Sequence, residues 1–231
     1  MWGGGATVVT VDTQREAVRD AARIVVKVGS SSLTASDGLL DHEALRALSD
    51  TLAMRHAAGT QVVLVSSGAI AAGITPLGLV ARPKDLATQQ AAASVGQSAL
   101  MAAYAQAFGA HGITVGQTLL TSDDLIRQQH YGNARRAVLR LLRLRVVPVV
   151  NENDAVVTDE IRFGDNDRLA SLVAHVVRAD ALVLLTDVDA LYDGPPEKPG
   201  SRPIAVVRNQ AELAAVRIGG TGSSIGTGGM A

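Results

Sequence analysis

Residues 151–167, NENDAVVTDEIRFGDND, follow directly on the apolar run VVPVV. They gather Glu152, Asp154, Asp159, Glu160, Asp165 and Asp167 with Asn151, Asn153 and Asn166 against a single base, Arg162. The whole chain has 22 acidic residues in 231, so a connecting loop alone does not account for this concentration. Carboxylates and amides leaving a strand terminus can bind an ammonium group, hold a cation or position a lysine, all electrostatic tasks. Other apolar runs end in groups of similar interest. RIVVKV carries Lys27 and opens into Gly29 and Ser30, Ser31 and Ser32. An ammonium beside hydroxyls and backbone N–H groups is a small phosphate cradle, with Gly29 expected in a backbone conformation closed to other residues. A strand followed by a Gly-Ser turn is nonetheless common, and taken alone it leaves open a Lys27 that points to solvent. QVVLVSS ends at Ser66, Ser67 and Gly68 and leads into a helix start suited to an anion such as a substrate carboxylate. ALVLLTD ends at Thr186 and Asp187, a place for a nucleotide or ribose contact.

Several chemistries are excluded by what surrounds these residues. There is no GxSxG elbow, and no histidine or acid stands near Ser67 in the chain to complete a triad. The absence of cysteine removes disulfides, thiol catalysis and thiolate metal sites. His42, His56, His111, His130 and His175 are scattered without ligand spacing and read as structural or exposed. Neither a Walker loop nor the HRD and DFG signatures of protein kinases occur. The net charge of −1 leaves no footprint for nucleic acid or an anionic membrane. The basic run ARRAVLRLLRLR, with Arg135, Arg136, Arg140, Arg143 and Arg145 at near-helical spacing, predicts a solvated helix face or a subunit contact. No basic n-region with an apolar h-region opens the chain and no stretch approaches ~20 uninterrupted apolar residues, so a soluble, cytoplasmic protein is expected.

The elements that must position these groups are legible in outline. The runs at 23–28, 61–67, 146–150 and 181–187 are continuously apolar rather than alternating, as in strands covered on both faces. Between them, Asp41 can cap a helix through Leu45, Leu48 and Leu52 that ends at Gly59, and the Ala-rich segment 85–110 predicts a longer one. Alternation of this kind implies an α/β fold, a mainly parallel sheet between helices, with ligands at the carboxyl ends of the strands. YDGPPEKPGSRP (192–203) reads as an exposed connector or hairpin, and the Gly- and Ser-rich C-terminus as a flexible tail or a ligand loop.

Lysine, glycine and serine at one strand end, an anion site at a second and an acidic, amide-rich loop at a third together suggest phosphoryl transfer to a small amino-acid-like substrate. The segments VVKVGSSSLT, VVLVSSGAIAAG, QQAAASVGQSALM, VGQTLLTSDD, VPVVNENDAVVTDEIRFGDNDRLASLVA, LLTDVDALYD and GTGGM occur in the order found in the glutamate 5-kinases, and over residues 21–231 the chain resembles that branch of the amino acid kinase family. NENDxV with GDND separates this branch from acetylglutamate, carbamate, uridylate and aspartate kinases.

The resemblance implies a three-layer αβα sandwich around a mainly parallel sheet. It implies ATP-dependent phosphorylation of the γ-carboxylate of L-glutamate, the first step to proline, with Mg²⁺ carried by the nucleotide. Ser67, Asp154 and Asn166 match positions that bind glutamate, and Asp165 belongs to the same loop. Asp167 resembles the aspartate that organises the catalytic lysines, and Lys27 and Gly29 the positions that stabilise the transferring phosphoryl, with Ser30 beside them. Thr186 and Asp187, with Thr227, Gly228, Gly229 and Met230, resemble the nucleotide site. The metal ligands are not identified by the resemblance.

Residues 1–20 are then an N-terminal extension and 21–231 a kinase domain. Family chains continue past GGM through a threonine and a second catalytic lysine, and many carry a PUA domain. The sequence ends at Ala231, so the expectation is a fold lacking its C-terminal part and without a PUA domain, which binds glutamate yet phosphorylates it poorly. The alternative this raises is a catalytically impaired module that binds glutamate or proline. Feedback inhibition by proline and a homo-oligomeric state are further expectations from the family.

Overall fold

The computed structural model describes residues 11–126, 128–156 and 166–214. In chain order the strands are β1 (Arg23–Val28), β2 (Gln61–Ser66), β3 (Val115–Leu120), β4 (Val147–Glu152), β5 (Ala181–Leu185), β6 (Leu191–Tyr192) and β7 (Pro203–Ile204). The α-helices are α1 (Val11–Asp20), α2 (His42–Ala57), α3 (Ala69–Ile74), α4 (Leu86–Gly109), α5 (Ser122–Ile126), α6 (Gln128–Arg143), α7 (Asn166–Val177) and α8 (Gln210–Ala214). The first five strands form one sheet in the order β3-β4-β2-β1-β5, with every pairing parallel. The expected α/β architecture is therefore the observed one, and the four strands read from the sequence are its three inner strands, β4, β2 and β1, and the edge strand β5.

β3 was not among the expected strands. Its sequence VGQTLL sets Gly116, Gln117 and Thr118 between its apolar residues, and it lies half-exposed at the sheet edge, so it lacks the continuous apolar run of a doubly covered strand. Gly116 is nonetheless packed closely, since a Cβ there would stand 3.2 Å from Leu141 and 3.3 Å from Val146. At the opposite end of the chain, residues 192–203 form the predicted hairpin, with Leu191 opposite Ile204 and Tyr192 opposite Pro203 in the antiparallel pair β6 and β7.

The two-residue period of the strands divides the core. Ile24, Val26, Val28, Val62, Leu64 and Val149 face one side, packed with Leu45 and Leu52 of α2 and with Leu100, Tyr104 and Phe108 of α4. Val25, Val63, Val65 and Val150 face the other, packed with Val138 and Leu142 of α6 and with Leu169 and Val173 of α7. Lys27 shares the parity of Val25 and so belongs to the α6 and α7 side. Asp41 caps α2 through its carboxylate, accepting from the N–H groups of Glu43 and Ala44 at 2.9 Å, as its sequence position predicts. On α6, Arg136, Arg140 and Arg143 are exposed, while Arg135 donates to the Val176 carbonyl at 3.2 Å; three arginines of the run thus share an exposed helix face, as expected of a solvated face or a subunit contact.

Helices α3 and α4 touch backbone to backbone. A Cβ on Gly96 would lie 1.8 Å from the Ala69 carbonyl oxygen, and one on Gly73 would lie 2.0 Å from that of Ala92. Neither glycine has a positive φ, so it is the approach of the helices, and not a turn, that requires them. We expect Gly96→Ala to cost at least about 2 kcal/mol through forced separation of α3 and α4. Gly109→Ala, where a Cβ meets nothing within 4 Å, should be neutral or slightly stabilising. Urea denaturation of the two variants checks this, and equal midpoints would contradict the close crossing.

Candidate active site

Lys27 points from β1 toward the start of α7 and pairs with Asp167 at Nζ–Oδ1 2.7 Å, with side-chain exposures of 10% and 26%. Strand parity and the helix start thus meet in one ion pair. Gly29 follows at the strand end, where a Cβ would stand 3.4 Å from the Lys27 Nζ and 3.7 Å from the Ser31 Oγ. Its N–H reaches the Leu185 carbonyl at 3.4 Å, tying the end of β1 to that of β5. The expectation of a special backbone conformation is corrected here, because Gly29 is not among the positive-φ residues. A small residue there leaves space under the ammonium instead. The glycine whose φ does exclude most side chains is Gly68, at +97°, in the turn between β2 and α3.

Asn166, the first residue of α7, is buried, and its Nδ2 donates to Ser67 Oγ at 2.7 Å and Asn151 Oδ1 at 3.2 Å. Asn151 Oδ1 also accepts from the Glu152 N–H at 2.9 Å. This leaves Asn166 Oδ1 and Asn151 Nδ2 buried without a protein partner. An acceptor and a donor are thus presented together at the wall of a cleft that Ser30, Ser67, Gly68, Arg82 and Asp154 also line. Buried polar groups without partners cost about 1–3 kcal/mol each, and a ligand carrying both a cationic donor and an anionic acceptor satisfies both.

Beneath this wall, Ser66 Oγ donates to the Ser67 carbonyl at 3.0 Å and shares a 2.8 Å bond with the fully buried Tyr104 hydroxyl. Burial pushes the Tyr104 phenol well above its usual range, opposed by that bond. The phenol is a fixed neutral donor that anchors the end of β2. Asp154, at the start of a 3₁₀ turn after β4 (Asp154–Val156), has its carboxyl pushed up to about 7 by burial and by the neighbouring Glu152, opposed by Arg82.

Of the residues expected in the site, Lys27, Gly29, Ser30, Ser67, Asp154, Asn166 and Asp167 converge at the carboxyl ends of β1, β2 and β4. Thr186 and Asp187 follow β5 and are exposed, with the Thr186 hydroxyl donating to the Val188 carbonyl at 2.8 Å. Asp165, Thr227, Gly228, Gly229 and Met230 lie outside the described residues. The anion site expected at the start of α3 is a buried helix of only six residues capped by Gly68. The five histidines stand apart from the cleft; His56 is buried and bonded to the Arg145 carbonyl at 3.1 Å, and the others are exposed. Among the described residues no cluster of three or more His, Asp or Glu could hold a metal ion. Two cleft residues escaped the sequence reading of the site. Asn151 stood in view in NEND, but nothing distinguished it from Asn153. Arg82, in ARPKD, had no signal at all.

A model of the amino acid kinase family matches residues 22–231. The chain belongs to the amino acid kinase family. It is 60% identical over 221 residues to a glutamate 5-kinase of Thermobifida fusca, 62% identical over 217 residues to one of Salinispora arenicola, and 60% identical over 217 residues to one of Streptomyces coelicolor. These alignments cover 94–95% of this chain but 57–59% of the relatives, so the chain spans under three fifths of their length. The crystal structure of UMP kinase from Ureaplasma parvum shares the fold at TM-score 0.52 and 15% identity, over 78% of this chain and 73% of that one. The mainly parallel sheet between helices is thus the amino acid kinase fold.

The raised Asp154 carboxyl has a consequence for stability in this kinase fold. Its folded pKa of about 7 exceeds the unfolded value of about 3.9, so between those values the folded state holds the extra proton and stability falls as pH rises. Asp154→Asn removes that loss. The stability difference between the variant and the parent should grow in favour of the variant from pH 5 to pH 8. Urea midpoints at the two pH values measure it, and a difference independent of pH would show that Asp154 is ionised throughout.

Proposed function

We propose that the protein transfers the γ-phosphoryl group of ATP to the γ-carboxylate of L-glutamate, giving L-glutamyl 5-phosphate and ADP, the entry step of proline synthesis. The observation that carries this reading is the Lys27–Asp167 pair at 2.7 Å, set beside a cleft whose buried amides present both an acceptor and a donor. The glutamate 5-kinase relatives agree with it.

In the reaction a carboxylate oxygen attacks the γ-phosphorus and the bond to the ADP oxygen breaks. A carboxylate of ordinary pKa is already ionised at neutral pH, so no general base is needed. The protein's task is to hold charge against charge. Ser67, Asn151, Asp154 and Asn166 hold the amino acid. Lys27 lies toward the phosphoryl in flight, and Asp167 fixes the position of its ammonium. Gly29 and Ser30 offer close backbone approach to the phosphates. Thr186 and Asp187, with Thr227, Gly228, Gly229 and Met230, belong to the nucleotide side, and Asp165 to the glutamate side. Mg²⁺ arrives with ATP as part of the substrate. A cytoplasmic location, a homo-oligomer and proline as an inhibitor in the glutamate cleft complete the proposal; among the described residues no helix is long and apolar enough to cross a membrane.

The test is glutamate-dependent ADP release by the protein at its full natural length, with hydroxylamine trapping of the γ-glutamyl product. ADP release indifferent to glutamate would reject the proposal. Within that assay, Lys27→Ala should lower kcat by ~10²–10³ with a smaller change in glutamate KM. A defect confined to KM would show that Lys27 only binds ground-state substrate. Asn166→Ala should weaken glutamate binding by ~10- to 100-fold and leave ATP binding unchanged, as read by calorimetric titration; equal losses for the two ligands would refute the assignment.

A further inference from the structure

Arg82 lies in the connection between α3 and α4, lining the same cleft as Asp154, Asn151 and Asn166. The chain just after it is held in place. Pro83 follows it, the Pro83 carbonyl accepts from Gln89 Nε2 at 2.8 Å, and Asp85 caps α4 by accepting from the Thr88 N–H at 2.9 Å. The connection is therefore pinned to the first turns of α4 just after Arg82. Arg82 and Asp154 act on each other electrostatically, each favouring the charged form of the other against burial. Among the described residues that line the cleft, Arg82 is the one cation.

On the reading of the cleft as the glutamate site, the substrate brings two carboxylates and one ammonium. The γ-carboxylate has to lie by Lys27, where the phosphoryl passes. The ammonium needs the one anion of the wall that is not spent on a lysine, Asp154. The remaining carboxylate is bonded to the same carbon as the ammonium, so it falls beside whatever neighbours Asp154. We propose that Arg82 is the specificity-determining residue for the substrate's α-carboxylate. The adjacent Arg82 and Asp154 then read the adjacent negative and positive groups of an α-amino acid as a unit. A planar guanidinium suits a carboxylate better than a point charge because it can donate two parallel bonds. An amino acid lacking the α-carboxylate charge is then rejected although it retains both the ammonium and the phosphoryl acceptor.

The experiment compares L-glutamate with L-isoglutamine, in which the α-carboxylate is a neutral amide, by calorimetric titration of the parent chain, Arg82→Gln and Arg82→Lys. The parent should prefer glutamate by ~10- to 100-fold. In Arg82→Gln that preference should collapse, through loss of glutamate affinity with isoglutamine unchanged, and Arg82→Lys should keep part of it. Any indirect effect through Asp154 acts on the ammonium of both ligands and cancels in the ratio, so equal losses for the two ligands would overturn the proposal by showing a merely structural role. An undiminished preference in Arg82→Gln would overturn it as well. Failure of the parent to bind glutamate would remove the functional reading itself, and this inference with it. Glutamate binding with an Arg82-independent preference would remove this inference alone.

Discussion

A lysine near the end of a doubly covered strand has to find an anion. The Lys27 side chain is about nine-tenths buried, and an ammonium so placed without a partner costs several kcal/mol. Asp167 supplies the partner, which fixes where α7 begins. The helix can begin there because Leu169, Val173, Val176 and Val177 find the face of the sheet that carries Val25 and Val63. Strand parity, helix packing and charge pairing thus demand the same arrangement. The residue just before Asp167 is then necessarily at the mouth of the sheet as well, and it is Asn166.

The neighbouring strand end is held by a different kind of interaction. Ser66, one residue short of Ser67, turns to the other layer and meets Tyr104 of α4. The close crossing of α3 and α4 at Gly73 and Gly96 sets how far Tyr104 stands from β2. Ser67 can therefore reach Asn166 at 2.7 Å because a phenol and two glycines in another layer leave it no alternative. The cleft-lining amides are the visible end of a network whose rigid part is buried on both sides of the sheet.

What the sequence disclosed follows from this division. Strands β1, β2 and β4 were legible because burial on both faces writes a continuous apolar run, β5 because its sequence is as apolar although it lies half-buried at the sheet edge, and α2 because Asp41 is a cap of the ordinary kind. β3 was not, because Gly116, Gln117 and Thr118 interrupt its apolar residues. Gly29 was expected for its backbone conformation, and its φ is not positive; what the structure shows there is open space beside the Lys27 ammonium. A residue type records that space or freedom is required without recording which. Asp154 illustrates a similar limit, since its identity suggests a standing negative charge while burial beside Glu152 raises its carboxyl to about 7. Arg82 was illegible altogether, for a lone arginine before a proline gains meaning only when a distant segment folds against it.

The strand order carries a further consequence. β2, β1 and β5 are consecutive in the sheet, and neighbouring strands are spaced about 4.8 Å apart. The groups following β2 and those following β5 therefore stand roughly 10 Å apart, with Lys27 on the strand between them. On the proposed reading the migrating group travels sideways across the strands, along the direction of the backbone hydrogen bonds, and the sheet serves as a ruler between donor and acceptor. A ruler of this sort is indifferent to what is placed at its two marks. Altering the residues after β2 and β4 changes which acceptor is presented without moving the lysine or the side from which the donor approaches.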